Sequence, residues 1–189
     1  MRRVGILGGT FDPPHIGHVI LANEVRSALQ LDEVRFMPNH TPPHKKKTES
    51  ISNDERLKML ELSIAGEPYF KLEKIELQSP GPSYTYNTMK QLKEKEPDTE
   101  FFFIIGSDMI EYLPKWYRIE ELVELVTFVG VKRPSYSSET PYPVILVDTP
   151  QIYLSSSMIR DKVKKGKSIK FLVLPAVQQY IEVNSLYES

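Results

Sequence analysis

The sequence predicts an α/β fold: a doubly wound, mostly parallel Rossmann-like sheet with a small helical C-terminal extension. Two observations predict it. Short apolar runs alternate along the 189 residues with stretches of helical periodicity, the pattern of βαβ units. Some of those runs, FFFII at 101–105 above all, are apolar at every position, as strands buried on both faces are. No internal repeat or low-complexity tract competes with this reading.

RVGIL (3–7) is the first strand. VILANEVRSALQ (19–30) follows as a helix, with Ile20, Val25 and Ala28 recurring at helical spacing. EVRFMP (33–38) alternates as a strand does and stops at Pro38. In SNDERLKMLELSIAG (52–66), Ser52 or Asn53 is a candidate N-cap, acids follow early and Gly66 closes, so a helix is expected. FKLEKIEL (70–77) reads as a strand. YTYNTMKQLKEKEP (84–97) is a helix halted by Pro97, and FFFIIG (101–106) is the central strand. The second half continues with a helix in IEELVELV (119–126) and strands in TFVGVKR (127–133) and PVILVD (143–148). SSSMIRDKVKKG (155–166) opens on hydroxyl caps and closes on Gly166. PAVQQYIEVN (175–184) places Pro175 in a first turn, where its missing N–H costs nothing. The Pro-rich stretches at 38–43 and 134–150 read as loops within one domain.

Composition excludes several classes. Lys and Arg number 24 against 25 Asp and Glu, so no global positive field exists to attract nucleic acid. Without cysteine there are no disulfides, no thiolate nucleophile and no Cys-ligated metal. The apolar runs are too short to span a bilayer, and MRRVGILGG turns polar or glycine-rich too early for a signal peptide. A cytoplasmic protein with neither membrane nor nucleic-acid partner is expected.

The chemistry concentrates in GGTFDPPHIGH (8–18), directly after the first strand. In doubly wound sheets ligands sit there, at the carboxyl ends of strands where loops meet helix N-termini. Gly8 and Gly9 let the backbone approach a ligand without a Cβ in the way. His15 and His18, three residues apart near a helix start, can face one side. Backbone N–H groups and two imidazoles together suit a phosphate. The glycines at 5, 8 and 9 do not match GxGxxG, and the P-loop pattern GxxxxGK[ST] is absent. HxxH without a third ligand is a poor zinc site, so no protein-held metal is expected.

GGTFDPPHIGH matches [ST]FDPxHxGH, and Ser156-Ser157-Met158-Ile159-Arg160, preceded by Ser155, matches a second element of the same superfamily. On these residues the chain resembles the HxGH nucleotidyltransferases. PNHTPPHK (38–45), GPSYTYNT (81–88), FFIIGSDM (102–109) and LPKWY (113–117) make it look, over its whole length, like the bacterial nicotinate-mononucleotide adenylyltransferases. The resemblance implies a single nucleotidyltransferase domain over 1–189. It implies transfer of AMP from ATP to nicotinate mononucleotide, giving deamido-NAD and pyrophosphate, with Mg²⁺ carried mainly by phosphates and water. His15, His18 and Arg160 are then the catalytic groups. ATP would be held by Gly8, Gly9, Thr10, Phe11 and His18, by His44 and Lys45, by Gly106 and Asp108, and by Ser156, Ser157 and Arg160. Thr85, Trp116 and Tyr117 would receive the nicotinate ring and carboxylate. Lys46 and Lys47 read as a solvated charge run. Asp108 has an alternative as a helix N-cap, and Trp116 as a core residue. The resemblance shared with pantetheine-phosphate adenylyltransferases, and a nucleotide-binding regulatory module without turnover, are the rival readings. The sequence leaves a homo-oligomer open.

Overall fold

The structure, a computed structural model, describes residues 1–40, 51–79, 82–131 and 139–189. Six parallel strands stand in the order β3-β2-β1-β4-β5-β6. They are β1 (Arg2–Gly9), β2 (Glu33–Pro38), β3 (Phe70–Leu72), β4 (Thr99–Gly106), β5 (Thr127–Val131) and β6 (Val144–Val147). The order reverses between β1 and β4, whose registers run Arg2↔Thr99 to Leu7↔Ile104. The carboxyl ends Gly8–Gly9 and Ile105–Gly106 therefore adjoin at the topological switch point, where such sheets open a crevice.

Strict alternation explains why β4 needs apolar residues at every position from Phe101 to Ile105. Phe101, Phe103 and Ile105 enter one core with Val4 and Ile6 of β1, while Phe102 and Ile104 enter the other with Leu7. Helices α3 (Ile75–Gln78), α4 (Thr85–Lys95) and α6 (Ile119–Leu125) cover the first face through Ile75, Met89 and Leu122. Helices α1 (Ile16–Leu29) and α2 (Asn53–Ile64) cover the second through Val25 and Leu60. A third cluster joins Met59 of α2 to Ile159 of α7 (Ser156–Lys164) and to Val177 and Ile181 of α8 (Pro175–Val183). It fastens the C-terminal helices to the side of the sheet.

Boundaries follow local chemistry. Ser52 caps α2 by accepting the Glu55 N–H at 3.2 Å, and the Glu55 carboxylate accepts the Ser52 N–H at 2.8 Å. FKLEKIEL is a strand only over Phe70–Leu72; Ile75–Gln78 is a short helix, its first N–H taken by the Glu73 carboxylate at 3.2 Å. Ile75 and Leu77 imitate strand alternation because one turn of helix also carries two apolar residues. Helix α1 begins at Ile16, three residues before its apolar periodicity shows, and α5 (Ser107–Ile110) opens directly off β4 with Gly106 at the N-cap. Among the described residues no helix is long and apolar enough to cross a membrane.

Ile159 is fully buried while Met158 beside it is 42% exposed, so α7 is held to the fold from one side. Ile159→Ala is expected to cost about 2–4 kcal/mol in chemical denaturation, whereas Met158→Ala should stay within about 0.5 kcal/mol.

Candidate active site

The turn after β1 is tied down from three directions. Thr10 O accepts from Arg56 Nη1 of α2 at 2.6 Å. Asp12 O accepts from Arg160 Nη1 of α7 at 2.7 Å. Pro13 O accepts from the Ser156 hydroxyl at 2.7 Å. The Asp12–Pro13 peptide is cis. The two sequence motifs, more than 140 residues apart, thus meet through side chain–backbone bonds.

The histidines sit at the start of α1. His15 is the N-cap residue and is buried; its N–H donates to His18 Nδ1 at 3.1 Å. That bond fixes the tautomer of neutral His18, leaving Nε2 as the N–H donor. The imidazoles stack with centroids 3.7 Å apart, and Phe11 meets His18 edge-on at 4.9 Å. Burial, then the charge of His15, holds the His18 pKa well below 6.5. Gly17 is required by this arrangement: a Cβ there would fall 2.9 Å from His15 Nδ1. Phe11, at φ 50°, turns its ring into the core over Gly9, so only its backbone is left for a ligand. Gly8, at the open end of β1, is exposed.

Thr10 belongs to this turn, and Ser156 at the head of α7 meets it. The Thr10 hydroxyl accepts from Asn39 Nδ2 at 3.4 Å, which leaves its proton to donate elsewhere. Ser155, not Ser156, caps α7 by accepting the Met158 N–H at 3.2 Å. Ser156 and Ser157 hence occupy the first two helical positions, where N–H groups lack intrahelical partners. The Ser157 hydroxyl accepts from Arg160 Nη2 at 3.2 Å. Asp108 lies in the first turn of α5 with Gly106 before it as the cap; a Cβ on Gly106 would collide with the Asp108 carboxylate at 2.5 Å. His44 and Lys45 lie outside the described residues, as do Lys46 and Lys47.

The aromatic residues form the other half. Trp116 is partly buried and meets Phe103 of β4 at 6.0 Å and Phe128 of β5 at 5.8 Å, both nearly perpendicular. Tyr117 packs on Tyr84 at 4.8 Å and on Tyr86 at 6.2 Å, the two neighbours of Thr85 in the first turn of α4. Phe103 joins the halves: its Cζ lies 3.6 Å from where a Cβ of Gly8 would stand, and its ring touches Trp116. The glycine turn and the tryptophan are one phenyl ring apart.

The model of the cytidylyltransferase-like family matches residues 6–162, which takes in both motifs and the strands between them. The chain belongs to that family. It is 58% identical over 187 residues to a "probable nicotinate-nucleotide adenylyltransferase" of Geobacillus thermodenitrificans (strain NG80-2), covering 99% of this chain and 87% of the relative. It is 57% identical over 189 residues to one of Bacillus cytotoxicus (strain DSM 22905 / CIP 110041 / 391-98 / NVH 391-98), with both chains fully covered. Among solved structures, the nicotinic acid mononucleotide adenylyltransferase of Plasmodium falciparum complexed with NaAD superposes with a TM-score of 0.83 at 23% identity, covering 100% and 98% of the two chains. That likeness establishes the fold.

Arg56 and Asn39 were not among the residues singled out from sequence. Arg56 is 1% exposed and spends its second nitrogen on Asn39 O (2.7 Å) and Asn53 Oδ1 (2.6 Å). Its signal lay in the spacing: Arg56 heads the buried stripe Met59, Leu60, Ser63 and Ile64, an arginine at a core position of α2. Among the described residues no group of three or more His, Asp or Glu stands positioned to hold a metal ion.

Because His18 is held neutral in the fold, the unfolded chain takes up a proton there first as pH falls below 6.5. The His18 contribution to stability is complete above that value and is lost below it. His18→Asn keeps an acceptor for the His15 N–H and removes the titration. The parent's melting temperature should therefore fall more between about pH 7 and about pH 5 than that of the variant, measured by thermal denaturation.

Proposed function

We propose that this chain, as one nucleotidyltransferase domain over residues 1–189, transfers the AMP of ATP to nicotinate mononucleotide, releasing deamido-NAD and pyrophosphate. A phosphate oxygen of the mononucleotide attacks the α-phosphorus of ATP, and the bond to the β-phosphate breaks as pyrophosphate leaves. No covalent enzyme intermediate is needed, so the protein's task is alignment and charge stabilisation. The observation that carries the reading is the Gly8–Phe103–Trp116 arrangement, which would suit phosphates on the glycine turn and an aromatic acceptor ring at Trp116. Whole-length identity of 57–58% to proteins named for this activity supports the same chemistry.

In this reading His18 offers its Nε2–H to the developing charge, with His15 beside it. Arg160 and the leading N–H groups of α7 face the leaving pyrophosphate. The Thr10 hydroxyl donates to a phosphate oxygen, and Asp108 accepts a ribose hydroxyl. Mg²⁺ accompanies the nucleotide, held mainly by its phosphates and water, and neutralises part of their charge. On the acceptor side Trp116 stacks on the pyridine ring, while Thr85 and backbone N–H groups near Tyr117 receive the carboxylate. Nucleotides are the expected partners; a homo-oligomer is compatible with this scheme but not required by it.

Incubation with ATP, Mg²⁺ and either nicotinate or nicotinamide mononucleotide, followed by identification of the dinucleotide, tests the reading. Deamido-NAD from the acid supports it; no dinucleotide from either, or turnover of phosphopantetheine instead, overturns it. His18→Ala should lower kcat by about 10²–10³ with the fold retained, since it removes one donor to transition-state charge. Trp116→Ala should raise KM for both mononucleotides and leave their ratio nearly unchanged, because both present the same ring. Thr85→Val should weaken the acid selectively, because only the acid needs donors around a carboxylate. Steady-state kinetics with the two acceptors separates these outcomes.

A further inference from the structure

The carboxylate of Asp12 has a partner from far along the chain. Asp12 is 3% exposed, and its Oδ1 accepts the Tyr187 hydroxyl at 2.7 Å across 175 residues of sequence. The backbone is bent to deliver that hydroxyl: Ser185 and Tyr187 both have positive φ, at 48° and 67°, a conformation costly for side chains with a Cβ. Between them Leu186 is buried in the cluster of Met59 and Ile159. Those two residues belong to α2 and α7, the helices that carry Arg56 and Arg160 to the same turn. Asp12 in turn supports the buried charge of Arg56, which burial alone disfavours. Nearby, the Ile16 N–H at the head of α1 donates to Leu172 O at 3.0 Å, a second tie from the C-terminal region to this loop.

From these contacts we infer that Tyr187 is a positioning residue for adenylyl transfer: its hydroxyl holds Asp12, and through Asp12 the turn that presents His15 and His18 to the nucleotide and against which Arg160 is held. A buried carboxylate left without its donor shifts to find another, and the turn moves with it. Displacement by about an ångström suffices to cost up to about a hundredfold in a reaction that depends on alignment. The inference rests on the adenylyltransferase reading for its kinetic test.

Tyr187→Phe removes one oxygen and keeps the ring in its cluster. It should lower kcat about tenfold, with KM for ATP and for the acceptor within about twofold and the melting temperature nearly unchanged. Asp12→Asn should lower kcat at least as much, and the double variant should be no slower than Asp12→Asn alone. Tyr180→Phe, on the adjoining helix, is the control and should turn over like the parent. A Tyr187→Phe protein that melts earlier but keeps its kcat, losses that multiply in the double variant, or an equal loss in the control each overturns the inference. Amide hydrogen exchange across residues 10–18 needs no turnover and separates this from failure of the adenylyltransferase reading. Faster exchange there in Tyr187→Phe, with α8 unchanged, is expected; unchanged exchange overturns the positioning role whatever the parent catalyses.

Discussion

Three carbonyl oxygens in four residues set the terms for everything around the crevice. Those of Thr10, Asp12 and Pro13 are each taken by a donor from a flanking helix, two of them by arginines. An untended carbonyl beside a triphosphate turns the negative end of its dipole toward negative charge. Prolines at 13 and 14 add to the difficulty, because those peptides have no N–H to offer in compensation. Removing the oxygens from play is therefore a condition for binding an anion there. The arginines that do so bring positive charge to the same place, although the chain as a whole carries a net charge of −1.

The histidine pair shows a second economy of the same kind. His15 begins the helix and His18 closes its first turn; His18 spends Nδ1 on the His15 N–H and keeps Nε2. Stacking the rings needs the space above residue 17, which is why the motif tolerates no Cβ there. Of the two readings that the sequence offered for Trp116, the structure bears on one. Two perpendicular phenyl contacts join it to the core, and it is only partly buried there.

What was legible in the sequence is what repeats or what is crowded. The apolar run Phe101–Ile105 and the alternating helical stretches pointed to a doubly wound, mostly parallel sheet, and the structure has six parallel strands covered on two faces. Element ends were harder: the first turn of α1 is spelled in glycine and histidine, and Ile75–Gln78 is too short to display a helical period. The motif glycines and histidines drew attention to the turn after β1, because such residues are rare at a strand-to-helix turn without a ligand. Arg56 was hidden because an arginine in a helix ordinarily reads as surface, and only its place on the apolar stripe betrays it. Tyr187 gave no sign at all. Its meaning depends on a contact 175 residues away, and no local pattern encodes separation in space.

That separation also sets an order of events in synthesis. The glycine turn and both histidines are made before most of the sheet, and β1 waits for β4, almost a hundred residues later, before its second neighbour exists. Even with the sheet assembled, the turn at 10–13 lacks the Ser156, Arg160 and Tyr187 donors until α7 and the segment after α8 have emerged. Closing such long loops is an entropic cost met late, when the cluster around Ile159 and Leu186 can repay it. A nascent chain can thus hold a finished sheet and an unfinished turn, whose most distant side-chain donor is supplied only when Tyr187 has been made.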